Sequence, residues 1–221
     1  MSIRKLSVLA LACLVALTAC KSADGSSSGG GDSNASSSSG GPTYTKFEDF
    51  KGKELLFNDT AEAVGMKLKV IDAAWKPEIA GKSAQTGSHF LVAYVAATPE
   101  VDDRAAADAF LNPTSLGMRT KGGNCEYPDR GYCYGTPTPT TMLESVADNE
   151  WFDHKWQEAL YSGGRLEAKE TMIGAIALTV SDDEKDLSWE LCASTRDSDG
   201  QGVSVPELSP CVKVPTPKDN G

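Results

Sequence analysis

The chain has 221 residues, with 31 Asp and Glu against 21 Lys and Arg, for a formal net charge of −10. That balance argues against nucleic acid as a partner, since phosphate recognition needs a basic footprint, and against electrostatic docking on anionic lipid. No stretch reaches the about 20 consecutive apolar residues of a membrane-spanning helix, and the length suits one domain behind a leader.

The chain opens with Arg4 and Lys5, followed by an apolar run from Leu6 to Leu17 and then Thr18, Ala19 and Cys20. A basic start, a short apolar stretch and a small residue before a cleavage point form the layout of a secretory signal. The stretch Leu17-Thr18-Ala19-Cys20 resembles the lipobox of bacterial lipoproteins. The resemblance implies a signal peptide over residues 1–19 and a diacylglycerol on the Cys20 thiol, with Cys20 as the new N-terminus. Two acyl chains on one residue meet the two-signal requirement for stable anchoring, at about 0.8 kcal/mol per buried CH₂. The expected location is the extracytoplasmic side of a cell membrane, with the membrane itself as a partner through the lipid. Cys13 leaves with the leader. So do Arg4 and Lys5, which leaves 19 basic against 31 acidic residues, a net charge near −12.

Residues 20–41 form a linker. From Lys21 to Gly41 nearly every residue is Ser, Gly, Asn, Ala or Asp, a composition that buries nothing and predicts disorder. A flexible coil of that length spans about 25 Å. Pro42 opens the domain expected over 42–221.

Within it, Tyr44 to Phe57 predicts a turn entering a short strand. Val64 to Val70 alternates apolar with polar, the period of a strand with one wet face, and Pro77 closes that region after Trp75. His89 to Ala97 is nearly all apolar, which predicts a central strand buried on both faces. Asp102 to Phe110 is Ala-rich and predicts one or two helical turns. Strand character returns over Leu111 to Arg119. A loop follows, Lys121 to Tyr134, with Cys125 and Cys133 in it. Thr141 and Glu144 have capping-box spacing, and Leu143, Val146, Ala147 and Trp151 recur at helical spacing. They predict a helix or broken helix, ended by Gly163 and Gly164. Met172 to Val180 reads as a second buried strand and Asp182 to Lys185 as a charged turn. Leu187 to Ala193 alternates. Val203 to Val214 holds a last strand or two, broken by Pro206 and Pro210. Strands separated by turn signals, with little helix, predict an all-β sandwich with a short helical insertion.

Three segments carry a second resemblance: Gly65 to Trp75, Gly87 to Val95, and Gly164 to Val180 with Gly174 before an apolar strand. Together they resemble the immunoglobulin-like domain of exported bacterial proteins of the DUF4352 type, related to the MPT63 family of secreted mycobacterial antigens. The resemblance covers about Leu55 to Ala193. It implies an immunoglobulin-like β-sandwich, exported and often surface-anchored, with no shared catalytic residues. The Cys125–Cys133 loop and the Trp-rich segment Thr141–Tyr161 are insertions relative to it, and binding residues concentrate on loops held by a rigid scaffold.

Cys125, Cys133, Cys192 and Cys211 are an even number in an exported domain, which reads as disulfides. Three pairings exist. Cys125–Cys133 and Cys192–Cys211 are preferred because both are local, contributing roughly 2.5 and 3 kcal/mol. Zinc would want tighter Cys spacing or nearby His, so no metal is expected. His89 opens an apolar strand and reads as structural; His154 follows Asp153. No Gly-x-Ser-x-Gly elbow supports a catalytic triad. Asp197 and Asp199 precede Gly200 as in a calcium loop, but Thr195 and Pro206 occupy positions that need Asp and Glu. An irregular calcium site there stays open. Tyr127, Arg130, Tyr132 and Tyr134 crowd the Cys125–Cys133 loop, and Tyr and Arg in a closed loop suit a binding surface. Trp151, Phe152 and Trp156 are expected to cover an edge or end of the sandwich. The reading that follows is a non-catalytic, cofactor-free module binding a protein, peptide or glycan. The alternatives are an envelope hydrolase acting on cell-wall polymers and a small-ligand-binding lipoprotein.

Overall fold

The computed structural model describes residues 44–57, 64–106, 116–121, 133–135, 138–140, 143, 147–148, 150–158, 165–194 and 209–219. A 3-10 turn, Phe47–Asp49, leads to β1 (Leu55–Phe57) and β2 (Met66–Lys76). A small hairpin follows, β3 (Glu78–Ile79) and β4 (Lys82–Ser83), turning on Ala80 and Gly81 at φ 53° and 73°. Two positive φ values make the tight turn that matches strand twist. Next come β5 (Ser88–Pro99), β6 (Leu116–Thr120), β7 (Cys133–Gly135) and β8 (Thr138–Pro139). The one-turn helix α1 (Glu150–Asp153) precedes β9 (Met172–Ser181), β10 (Trp189–Ala193), β11 (Cys211–Lys213) and β12 (Lys218–Asp219).

These strands make an all-β sandwich. One sheet runs β1-β2-β5-β9-β8, with β12 adding in parallel to β2; the other runs β11-β10-β6-β7. Between them lies an apolar core. Leu68, Leu91, Val95 and Ile176 come from the first sheet, and Leu116, Met118, Trp189, Leu191 and Val212 from the second. The chain passes from the second sheet to the first between β7 and β8. There Gly135 approaches Leu178 closely: a Cβ on it would stand 2.2 Å from Leu178 Cδ1, so the leucine side chain would have to move.

The outer face of the first sheet is also covered. A second apolar cluster joins Ala74, Val92, Tyr94, Ala96, Ile173, Ala175 and Ala177 to Phe47, Phe50, Trp151 and Trp156. Strand β5 is thus buried on both faces, as its unbroken apolar run predicts. The small residues on this face leave room for the indole and phenyl rings above it. Trp151 and Trp156 therefore cover a sheet face, where an edge or end is expected from sequence.

The alternation in β2 is real, but one consequence drawn from it is corrected. Register shifts between Val70 and Asp72, so that Val70 faces Val95 and Asp72 faces Tyr94, with Ile71 bulged out. The bulge moves the core-facing set from Met66, Leu68 and Val70 to Ala73 and Trp75. Before the bulge, Lys69 lies on the face expected to be wet, yet it is only 7% exposed. The N-terminal turn folds over it. Its ammonium donates to Phe47 O at 3.2 Å and Phe50 O at 3.1 Å, lies 4.3 Å from the Phe47 ring centre, and is 3.9 Å from Glu54. A buried ammonium is tolerated only with such a set of acceptors.

The helix expected from Thr141 is corrected as well. Thr140 donates its N–H and hydroxyl to Ala175 O, both at 2.9 Å, and accepts from Ala175 N at 2.8 Å; Leu143 and Ile173 exchange two backbone bonds of 2.7 Å. The segment after β8 therefore extends the edge of β9. Unpaired groups on β9 need partners, and that demand outweighs a local capping signal. Among the described residues of this segment, helix survives only as α1; Thr141 and Glu144 themselves lie outside the described residues. The Ala-rich stretch expected to be helical shows turn and bend at 101–104 and an isolated bridge from Ala106 to Leu166; residues 107–110 lie outside the described residues. Strand β12 is not anticipated from sequence.

Candidate functional site

At one end of the sandwich four segments converge. Strand β2 ends beside Trp75, β6 ends at Thr120, and β10 begins at Trp189 after the turn Asp182–Glu184. Residues 214–217 cross from β11 in the second sheet to β12 in the first. Two adjoining cavities open there, of about 360 and 430 Å³, and Asp186, Leu187, Ser188, Trp189 and Lys213 line both. The first cavity also takes in Trp75, Lys185, the 214–217 crossing and Asp219; the second also takes in Arg119, Thr120, Lys121 and Glu190. Volumes of this size match small-ligand sites, of about 300–1,000 Å³.

The strands place the charges of this groove in a row. Arg119, Glu190 and Lys213 lie directly opposite one another across β6, β10 and β11. Alternation along β10 turns Trp189 and Leu191 to the core and Glu190 away from it. Arg119 Nε donates to Glu190 at 2.7 Å. Lys185 Nζ stands 5.5 Å from the Trp75 ring centre and 3.9 Å from Asp182, and Asp182 in turn meets His89 Nδ1 at 2.5 Å. Trp189 is 5% exposed, and its indole N–H has no acceptor among the described residues. A sealed, unpaired donor costs about 1–3 kcal/mol.

The cover on the opposite layer holds its own polar cluster. Lys218 pairs with Asp72 at 2.6 Å and stands 4.7 Å from the Phe152 ring centre; Lys76 donates to Phe152 O. Tyr94 packs against Phe152 at 4.9 Å, and its buried hydroxyl has no partner among the described residues. Burial, with Asp72 and Asp153 adding repulsion, pushes that hydroxyl well above the usual phenol range.

The residues singled out from sequence fall in several places. Cys192 and Cys211 form a disulfide, joining facing positions of β10 and β11. Cys125 lies outside the described residues, as do Cys20, Tyr127, Arg130, Tyr132, Asp197 and Asp199. Cys133 and Tyr134 are in β7, opposite Thr120 and Arg119. The chain predicted to form the binding loop therefore leaves at Lys121 and returns at Cys133, beside the groove. His89 sits on the Asp182 carboxylate, and His154 stands edge-on to Trp156 at 4.7 Å. Among the described residues no three His, Cys, Asp or Glu gather as a metal site. Sequence reasoning passed over the groove itself. Leu187 and Trp189 read as core alternation, and Pro215 and Pro217 were the signal for the extended crossing that closes one wall.

No family model matches the chain, and no curated protein matches it. Among solved structures, it is similar to an uncharacterized β-sandwich protein from Clostridium difficile 630, at 10% identity over 66% of this chain and 90% of that one, with a TM-score of 0.37. At that distance the likeness carries no functional statement.

Proposed function

We propose that the chain is a lipid-anchored, extracytoplasmic β-sandwich that acts as a non-catalytic binding module, with the groove beside Trp189 as its site. The groove is the observation that carries this reading. Its wall is built from strand ends and a crossing segment, so its shape is held by both sheets. The lipobox residues supply the location, and the acylated Cys20 the membrane contact.

The anchor has a direct test. A labelled fatty acid fed to expressing cells is expected to enter the full-length chain and to be absent from Cys20→Ala, which should also leave the detergent phase. Equal labelling of both would remove the anchor. Binding is tested by placing a photocrosslinking side chain in the full-length protein on cells, at exposed Ser188 in the groove or at exposed Glu48 in the N-terminal turn. An adduct from position 188 and none from 48 is expected. Adducts from both, or from neither, would count against the groove.

A further inference from the structure

We propose that β12 is a two-sided latch. Docked on β2, it completes the wall of the first cavity with one residue and clamps α1 with the other, so that the groove and this part of the cover open and close together. The link stands on the fold alone and holds for any class of molecule that enters the groove.

Strand β12 is two residues long and pairs in parallel with the end of β2, Lys218 opposite Ala74 and Asp219 opposite Trp75. Adjacent residues of a strand point to opposite faces. Trp75 turns into the core between the sheets, and Ala74 into the second cluster under the cover. Their partners divide in the same way. Asp219 lines the first cavity with Trp75, Thr216 and Pro217. Lys218 reaches over the other face, 2.6 Å from Asp72 and 4.7 Å from the centre of the Phe152 ring. Phe152 belongs to α1 and packs against Tyr94 and Trp151.

The crossing at 214–217 is moored at its two ends. At one, Val214 donates its N–H to Trp189 O at 2.9 Å; at the other stands the pairing of β12 with β2. Between them Pro215 and Pro217 have no N–H to offer either sheet. Release of β12 therefore frees the crossing and takes a wall from the first cavity. The same release withdraws the Lys218 ammonium from Asp72 and Phe152. A two-residue strand sits at the low end of local stability, so docked and released states differ by little free energy and either face can shift the balance. A molecule in the groove that rests on the crossing favours the docked state. By linkage, a change that loosens Phe152 weakens the hold on that molecule.

Amide exchange of the full-length protein in detergent reads the latch directly, in the ladder of Ala74, Trp75, Lys218 and Asp219. Lys218→Met removes the ion pair and the ring contact and should speed that exchange by about tenfold; Phe152→Leu removes the ring contact alone and should speed it by about threefold. Lys218→Arg keeps both contacts and should stay within about twofold of the native chain. Lys82→Met is the control. It breaks the 2.6 Å pair with Glu158 without touching β12, and should leave the ladder unchanged. Native exchange rates in β5 and β9 establish that each variant is folded. A ladder indifferent to Lys218→Met and Phe152→Leu, or opened equally by Lys82→Met, would overturn the latch. Phe152→Leu should also lower the crosslink yield from position 188, and an undiminished yield would cut the link to the groove. If the native chain gives no crosslink there, the binding reading falls and the exchange rates decide the latch by themselves.

Discussion

Trp151→Ala is expected to lower the unfolding free energy by about 3–5 kcal/mol, the usual cost of deleting a buried aromatic side chain. Trp151 is 2% exposed and joins three rings that come from different parts of the cover: Tyr44 at 5.9 Å, Phe50 at 6.4 Å and Phe152 at 6.1 Å. Its carbonyl accepts from Trp156 Nε1 at 3.1 Å. The sheet residues in its cluster include Ala74, Ala96, Ala175 and Ala177, whose short side chains cannot reach into the space left behind. The cavity term therefore stays nearly whole. Trp151→Phe should recover part of the loss. Urea unfolding followed by far-ultraviolet circular dichroism measures it, and a cost under about 1 kcal/mol would mean that the cover is dispensable to the sandwich.

Removing the disulfide with Cys192→Ala and Cys211→Ala should cost roughly 3 kcal/mol, from the entropy returned to the unfolded chain over a separation of 19 residues. A functional loss should accompany it. Strand β11 is three residues long and, among the described residues, pairs only with β10, at the edge of its sheet. It carries Lys213 into the groove and leads into the crossing at 214–217 that walls the first cavity. Without the covalent tie, β11 should fray first, because short edge strands sit at the low end of local stability. The expected result is a fall in thermal midpoint together with weaker crosslinking from position 188 in the groove. Hydrogen exchange would locate the first new opening at Cys211–Lys213. A variant that loses stability but keeps full groove affinity would show that β11 stays seated without the bond.

What was legible in the sequence is what a strict period or an unbroken run encodes. His89 to Ala97 and Met172 to Val180 are long enough, and apolar enough, that only central strands accommodate them. Local cysteine spacing likewise marks Cys192 and Cys211. The rest depended on partners far along the chain. Lys69 reads as solvent-facing until the turn at Phe47 lands on it, a separation of 22 residues. Thr141 and Glu144 carry a sound helix signal, but β9 has an edge to fill and Thr140 and Leu143 fill it. The groove escaped because its makers, Trp75, Lys185, Trp189 and Lys213, come from three separate segments. Each has an ordinary local reading, and nothing in the linear order brings them together. The Tyr127–Tyr134 loop stands out in the sequence by composition alone; β7 places its return beside Arg119.

The N-terminal turn over Lys69 also determines how the domain would respond to tension. The chain leading in from the proposed anchor enters the described fold at Tyr44, which stacks on Phe50 at 4.5 Å. A pull from that side loads the stacked rings first, the two carbonyl bonds to Lys69 next, and the paired strands of β1 and β2 only after these. The cover is thus the compliant part in series with the stiffer sandwich. Under load the molecule should lengthen by peeling its N-terminal strap while both sheets, and the groove at their end, keep their shape.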